Sequence, residues 1–478
     1  MNTTTINSND KLITALEPVS NVAQAHSLLS KLAVANDDID LLVVPRKKAQ
    51  PVKEYIASFK KLIFSTQKLL SITTLWLYRD GPQEQLLKAA IKTLNARASA
   101  AQPIHVRILY SISKQKQAIF SMASPENYFI DGLTLNPHFH LAFYRFSFLT
   151  DGHAFNHAKI VAVDDDKLLV GGINFVHHDY QSLEEPVHDV AVKITRPQVA
   201  YMGHNYLSRL VESGKPKYGQ IFSGGEAQDY LSAEFSHLFQ AAFTLENTLN
   251  TTLTANPLDE EGYMLGVGKL QGGTGNENIG KQAMFAMLAN AQQQIDVAQQ
   301  SIGFIPGKHQ GKFTDTGDEF CRMIAQALKR GVRVNIILSG RENMGDFINH
   351  ISQPALTQYI KNVGELTDVQ LDLLTIRAAK NRFDRQGSSA GKTRLHAKAI
   401  IVDEQMVYLG SQNLYYDNHA EFGVIIHNKA FAQRFKQQFW QGLWPNKPAS
   451  ETEVYQEPLA DNLLALSSKL TSAWRLIG

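Results

Sequence analysis

The chain is 478 residues long, 44% hydrophobic and 19% charged, with a formal net charge of +2. That length supplies ample core for two domains or one large fused one, while the charge is too small to advertise a nucleic-acid binder. No apolar run reaches the roughly eighteen residues that a membrane span needs, and a single cysteine, Cys321, excludes an internal disulfide.

Met1 to Asp10 is rich in Asn and Thr and lacks the basic and apolar regions of a signal peptide. The expected location is therefore the cytoplasm or a membrane periphery, with secretion into a host cell by a signal-peptide-independent route also compatible. A helix-like stretch completes an N-terminal extension over residues 1–35. Ile56, Phe59 and Ile63 then step along one helical face, and Leu70 to Tyr78 is rich in the apolar, β-branched and aromatic residues of strands. Leu87, Ala90, Ile91 and Leu94 form a second helical stripe, and Ile104 to Tyr110 alternates as a strand. The order α-β-α-β implies parallel pairing. Phe139 through Phe148 is the most aromatic run in the chain and reads as a buried strand, with an acyl-chain groove as the alternative.

The same order returns later. Met284, Met287 and Leu288 mark a helix, Ile295 to Ile302 a strand, Phe320, Ile324 and Leu328 a helix that buries Cys321, and Val332 to Leu338 a strand. An internal duplication of about two hundred residues is the simplest account. The expected fold is α/β: two pseudo-symmetric α-β-α sandwich halves with mixed sheets, residues 36–235 and 236–450, and the active site at their interface. Residues 451–478 form a tail in which Leu463, Leu466, Leu470 and Trp474 follow helical spacing. Such a helix packs on the domain or, alternatively, lies on a lipid surface.

Two stretches carry the chemistry. His157-Ala158-Lys159, followed by Asp164, is echoed by His396-Ala397-Lys398, followed by Asp403. After a further six residues come Gly171-Gly172-Ile173-Asn174 and Gly410-Ser411-Gln412-Asn413. On a strand, His157 and Lys159 would share one face while Ile160, Val161 and Val163 enter a core, and a Gly-rich turn would bring the Asn amide back to the same place. Two such edges face to face make a pocket of two imidazoles, two ammoniums and two amides around one anion. That suits a phosphodiester. A neutral imidazole attacks phosphorus, a protonated one donates to the departing oxygen, and the cations and amides stabilise the developing charge. No metal or other cofactor is required for that charge balance.

These motifs resemble the phospholipase D superfamily, over about residues 50–445. The resemblance implies a phosphohistidine mechanism in which His157 attacks and His396 protonates the leaving alcohol. Lys159, Lys398, Asn174 and Asn413 match the family's phosphate-binding positions, and Asp164, Asp403, Gly171, Gly172, Gly410 and Ser411 are structural members of the motifs. Family members also place an acid downstream of each motif to hold the histidine's other nitrogen; Asp189 and Glu421 stand where those acids should be. Gly172 departs from the family's usual Ser, which puts one hydroxyl contact in doubt. The implied activity is hydrolysis of glycerophospholipids to phosphatidic acid, with alcohol transfer of the phosphatidylserine or cardiolipin synthase kind as the alternative and a nuclease behind it. The implied partner is a phospholipid at a membrane surface, not nucleic acid, and the expected state a monomer, with a dimer compatible.

Other stretches imitate sites. Gly275 and Gly280-Lys281 have P-loop spacing, but Gln282 stands where Ser or Thr should ligate magnesium. His153 with His157, and His138 with His140, have metal spacings without acidic or Cys companions. His177 and His178 read as loop histidines near the pocket mouth. Arg377 to Arg394 reads as a basic loop, solvated or holding an anionic head group.

Overall fold

The computed structural model describes residues 29–75, 77, 81–112, 125–147, 156–175, 178–182, 187–212, 216–223, 226–231, 262–270, 278–303, 315–340, 353–384, 393–414 and 419–445. Residues 1–28, the C-terminal tail, His153, His177, the side chain of His178, Gly275 and residues 385–392 of the basic loop lie outside the described residues.

The strands, in chain order, are β1 (Leu29–Ala33), β2 (Ile39–Val44), β3 (Leu69–Thr74), β4 (Ile104–Ile112), β5 (Phe139–Ser147), β6 (Ile160–Val163), β7 (Lys167–Gly171), β8 (Asp189–Thr195), β9 (Pro216–Ser223) and β10 (Glu226–Leu231). They continue with β11 (Tyr263–Lys269), β12 (Gln294–Gln299), β13 (Arg333–Leu338), β14 (Leu374–Ala378), β15 (Ala399–Val402), β16 (Met406–Gly410) and β17 (Glu421–His427). They form a nine-stranded sheet, β10-β9-β5-β4-β3-β6-β7-β8-β2, and an eight-stranded sheet, β1-β11-β17-β16-β15-β12-β13-β14. Without the edge pair β9–β10 in the first and β1 in the second, the two orders coincide strand for strand. Directions coincide as well: β3 and β4 are parallel, as are β12 and β13, and β3 pairs β6 antiparallel as β12 pairs β15. The chain is thus a duplicated mixed α/β unit.

The helices arise where the sequence places apolar stripes. Lys53–Phe64 buries Tyr55, Phe59, Leu62 and Ile63, leaving Ile56 only partly covered. Pro82–Arg97 starts on Pro82, whose missing N–H costs nothing in a first turn. In Asp315–Lys329 the buried stripe includes Phe320, Cys321, Ile324 and Leu328. The aromatic run is β5, with Phe139, Phe143, Tyr144 and Phe146 buried. Within the segment expected to be an N-terminal extension, Leu29–Ala33 is a strand, and it pairs with β11 of the second sheet. The described part of the basic stretch is likewise structural: Arg377 lies in β14, and Arg382 donates to the carbonyls of Pro45 (3.1 Å) and Gln438 (2.6 Å).

The motif aspartates end the β6 and β15 strands in the left-handed region, at φ 51° for Asp164 and 53° for Asp403. Asp164 accepts from the backbone N–H groups of Gln67 (3.0 Å), Lys68 (2.8 Å) and Leu69 (3.1 Å). Asp403 accepts from Gln292 (2.9 Å), Gln293 (2.8 Å) and Gln294 (2.9 Å). Each carboxylate therefore ties the hairpin bearing a motif to the start of the adjacent parallel strand. Asp164→Ala and Asp403→Ala strand those donors and should each lower unfolding free energy by roughly 2–4 kcal/mol. Denaturant titration checks this, and a wild-type midpoint in either variant would refute the structural role.

Candidate active site

His157 and Lys159 precede β6 rather than lying on it, and His396 and Lys398 precede β15. The strands begin late because the motif backbone bonds across the seam between halves. Asn156 and Ala420 form a parallel bridge, as do His188 and Leu395. The His157 N–H donates to the Ala420 carbonyl and the His396 N–H to the His188 carbonyl, both at 2.8 Å. Each lysine ammonium folds back onto the carbonyl of its own motif's histidine. The glycines do not make the expected turn, which is formed by Asp164–Asp166. Gly171 and Gly410 instead close β7 and β16 against a neighbouring strand: a Cβ on Gly171 would lie 2.4 Å from the Val190 carbonyl oxygen, and one on Gly410 2.5 Å from the Gly423 Cα.

The two imidazoles meet, with ring centroids 6.3 Å apart at 68°. Their acids are exchanged. His157 Nδ1 is 3.0 Å from Glu421 Oε2 of the second half, and His396 Nδ1 is 2.8 Å from Asp189 Oδ2 of the first. The order along the chain suggests each acid serving its own motif; the geometry crosses them. His157 Nδ1 also faces the Ser411 carbonyl at 2.9 Å. Since a carbonyl only accepts, Nδ1 carries the hydrogen and Nε2 keeps the lone pair. His396 Nδ1–H likewise points at Asp189, so both rings offer Nε2 for chemistry.

Both histidines, both lysines and both carboxylates are buried. Burial, then Lys159 and Lys398, lowers the His157 pKa well below its ordinary value; burial and Lys398 lower His396 to about 4. Burial pushes the Asp189 carboxyl up, but His396, Lys398 and the Val190 N–H outweigh it and hold it below its usual range. For Glu421 burial wins, and its pKa is raised despite His419 and Lys159. Burial also lowers Lys159 well below its ordinary value and Lys398 to about 8, with nearby carboxylates opposing both shifts. Asn174 and Asn413 are buried, and neither the Asn174 amide atoms nor Asn413 Oδ1 has a protein partner. Buried amides rarely stay unpaired; a ligand or an ordered water usually supplies the bond.

Several neighbours carry no sequence signal. Tyr180, from the short helix His178–Gln181, donates to Asp189 Oδ2 at 2.9 Å and lies 3.2 Å from His396 Nδ1. His419 is buried with its ring 5.7 Å from that of His157, and Lys269 is buried opposite Glu421 in the strand register. The corresponding first-half positions are Val187 and Val44, the latter opposite Asp189. Elsewhere, His140 stacks on His105 at 4.5 Å and 15° instead of opening towards a shared ion. Among the described residues no three His, Cys, Asp or Glu side chains group as metal ligands, and no helix is long and apolar enough to cross a membrane.

A family described as "Cardiolipin synthase, PLD-like domain" matches residues 284–444. A phospholipase D of Streptomyces antibioticus is 23% identical over 346 residues, 61% of this chain and 59% of that protein, so the chain spans under two thirds of that curated relative. The crystal structure of a phosphatidylserine synthase from Haemophilus influenzae Rd KW20 superposes with a TM-score of 0.59 at 16% identity, covering 96% of this chain and 99% of that one, which establishes likeness of fold. Together, the family model over residues 284–444 and the phospholipase D relative support a member of the phospholipase D superfamily.

The surroundings of the site hold buried histidines as well. His188 and His204 are buried, and burial together with Arg382 or Arg107 lowers each to about 3. His204 Nε2 donates to the Asp164 carbonyl at 2.7 Å, and its Nδ1 lies 2.8 Å from Ser71 Oγ, linking it to the first motif. Unfolded histidines take up a proton below about 6.5, whereas these native ones stay neutral to about 3, so the unfolded state binds more protons in that window. Their contribution is complete above pH 6.5 and is lost as pH falls, by about 1.4 kcal/mol per pH unit for each. Denaturation midpoints between pH 7 and 4 should show the decline. His204→Gln should make it shallower by about that amount per unit; an unchanged slope would contradict the assignment.

Proposed function

We propose that the chain is a phospholipase D-type phosphodiesterase that hydrolyses the head-group phosphodiester of glycerophospholipids to phosphatidic acid at a membrane surface. What carries the reading is the pair of imidazoles 6.3 Å apart, each held through Nδ1 by the opposite half's acid, with the unpartnered Asn174 amide N–H buried in the first motif. The gap suits one phosphoryl group.

The His157 Nε2 lone pair forms a bond to phosphorus while the phosphorus–oxygen bond to the head group breaks. His396 Nε2–H gives its proton to that departing oxygen, and Asp189 stabilises the imidazolium beforehand. Burial and Lys398 favour neutral His396; a phosphodiester anion between the rings opposes that effect and favours the protonated form. Lys159, Lys398 and the two asparagine amides offset charge on the non-bridging oxygens. Neutral His396 then takes a proton from water, whose oxygen displaces His157 from phosphorus. The depressed pKa of His157 suits the nucleophile, and the Asp189 carboxyl held below its usual range suits the acid's partner.

If an alcohol replaces water in the second step, the same machinery transfers the phosphatidyl group. The likeness to a cardiolipin synthase-type domain and to the phosphatidylserine synthase fold favours keeping this second reading. Incubation with mixed phospholipids, with and without a primary alcohol, followed by mass spectrometry separates the two: phosphatidic acid alone supports hydrolysis, and a new phosphatidyl alcohol supports transfer. His157→Ala and His396→Ala should each reduce head-group release by at least about a hundredfold while the fold is retained. Wild-type turnover in either variant overturns the mechanism.

A further inference from the structure

The two acid–imidazole pairs share the Nδ1–carboxylate contact and differ in the hydroxyl that meets each carboxylate. In the second half Ser411 Oγ donates to Glu421 Oε2 at 2.5 Å. In the first half Gly172 holds the matching place, and a Cβ there would lie 2.3 Å from Asp189 Oδ1. A serine is therefore excluded while Asp189 stays where it is. The missing hydroxyl arrives from elsewhere in the chain: the Tyr180 phenol reaches Asp189 Oδ2 at 2.9 Å, lies 3.2 Å from His396 Nδ1, and is bonded by the Asn174 backbone N–H. Tyr180 is fully buried, with its ring perpendicular to that of His396 at 84° and 6.5 Å.

We infer that Tyr180 is a positioning residue for proton donation, substituting for the motif serine that Gly172 lacks and fixing the Asp189–His396 pair so that His396 Nε2–H points at the leaving oxygen. The inference rests on the phosphodiesterase reading. It assigns the two hydroxyls different jobs: Ser411 braces the acid of the attacking imidazole, and Tyr180 braces the acid of the donating one. Removing the Tyr180 hydroxyl leaves the His157–phosphorus bond-forming half intact and loosens only the proton transfer to the departing alkoxide.

The consequence is a dependence on the leaving group. An alkyl head group must depart with a proton from His396, whereas p-nitrophenolate departs as a stable anion and needs none. The test is single-turnover release, so that hydrolysis of the phosphohistidine does not enter, by wild type, Tyr180→Phe and Ser411→Ala. The probes are phosphatidyl-p-nitrophenol and the natural phospholipid that wild type cleaves fastest. Tyr180→Phe should slow alkyl head-group release about tenfold or more and leave p-nitrophenolate release within about twofold. Ser411→Ala should slow both alike. The ratio of the two rates in one sample is independent of how much variant is folded, so partial misfolding does not obscure the result. Equal losses on both probes, or none on either, overturn the role of Tyr180. A wild type inactive on both probes overturns instead the phosphodiesterase reading beneath it.

Discussion

Each imidazole at the seam is held by a carboxylate from the other half, and the rest of the site depends on that exchange. Asp189 is the first residue of β8 and Glu421 the first of β17, yet they serve His396 and His157 respectively. Neither half can therefore fix a histidine tautomer alone. The backbone repeats the arrangement: the N–H of each motif histidine is satisfied by a carbonyl across the seam. Docking the halves is thus also what orients both imidazoles, and it takes them out of water into a low-dielectric interior, where charges interact more strongly.

Duplication accounts for the geometry, and its imperfections give the two imidazoles unequal surroundings. A strictly symmetric site would give its two imidazoles the same environment and no reason to divide attack from proton donation. Here the environments diverge. The His157 side has Glu421, Ser411, His419 and Lys269; the His396 side has Asp189, Tyr180, Val187 and Val44 at the corresponding or substituting places. The longer acid is pushed up by burial and the shorter one held down by its cations. Different roles for two like residues follow from different neighbours, as paired titrating groups elsewhere illustrate.

Much of this was legible along the chain. The two His-x-Lys-x4-Asp stretches, their Asn tails and the repeated α-β-α-β order carry the duplicated fold and mark the residues that meet at the seam, because strand and helix periodicities and short motif spacings are local properties. Asp164 and Asp403 were expected as structural members of the motifs, and each binds three backbone N–H groups about a hundred residues upstream. Less local details did not read. The strand face expected for His157 and Lys159 is replaced by pairing across the seam, and the expected glycine turn is a close approach of neighbouring strands.

By itself, then, the sequence determined the repeated architecture and which imidazoles, ammoniums and amides belong to one chemistry. Only the tertiary structure decided which acid serves which histidine, that a phenol replaces the absent serine, and that Lys269 and His419 crowd one side. The physical reason is that hydrogen bonds and burial act over a few ångströms of space, and here the partners come from opposite halves, separated along the chain by more than two hundred residues, |i−j| = 207 for Asp189 and His396 and 264 for His157 and Glu421.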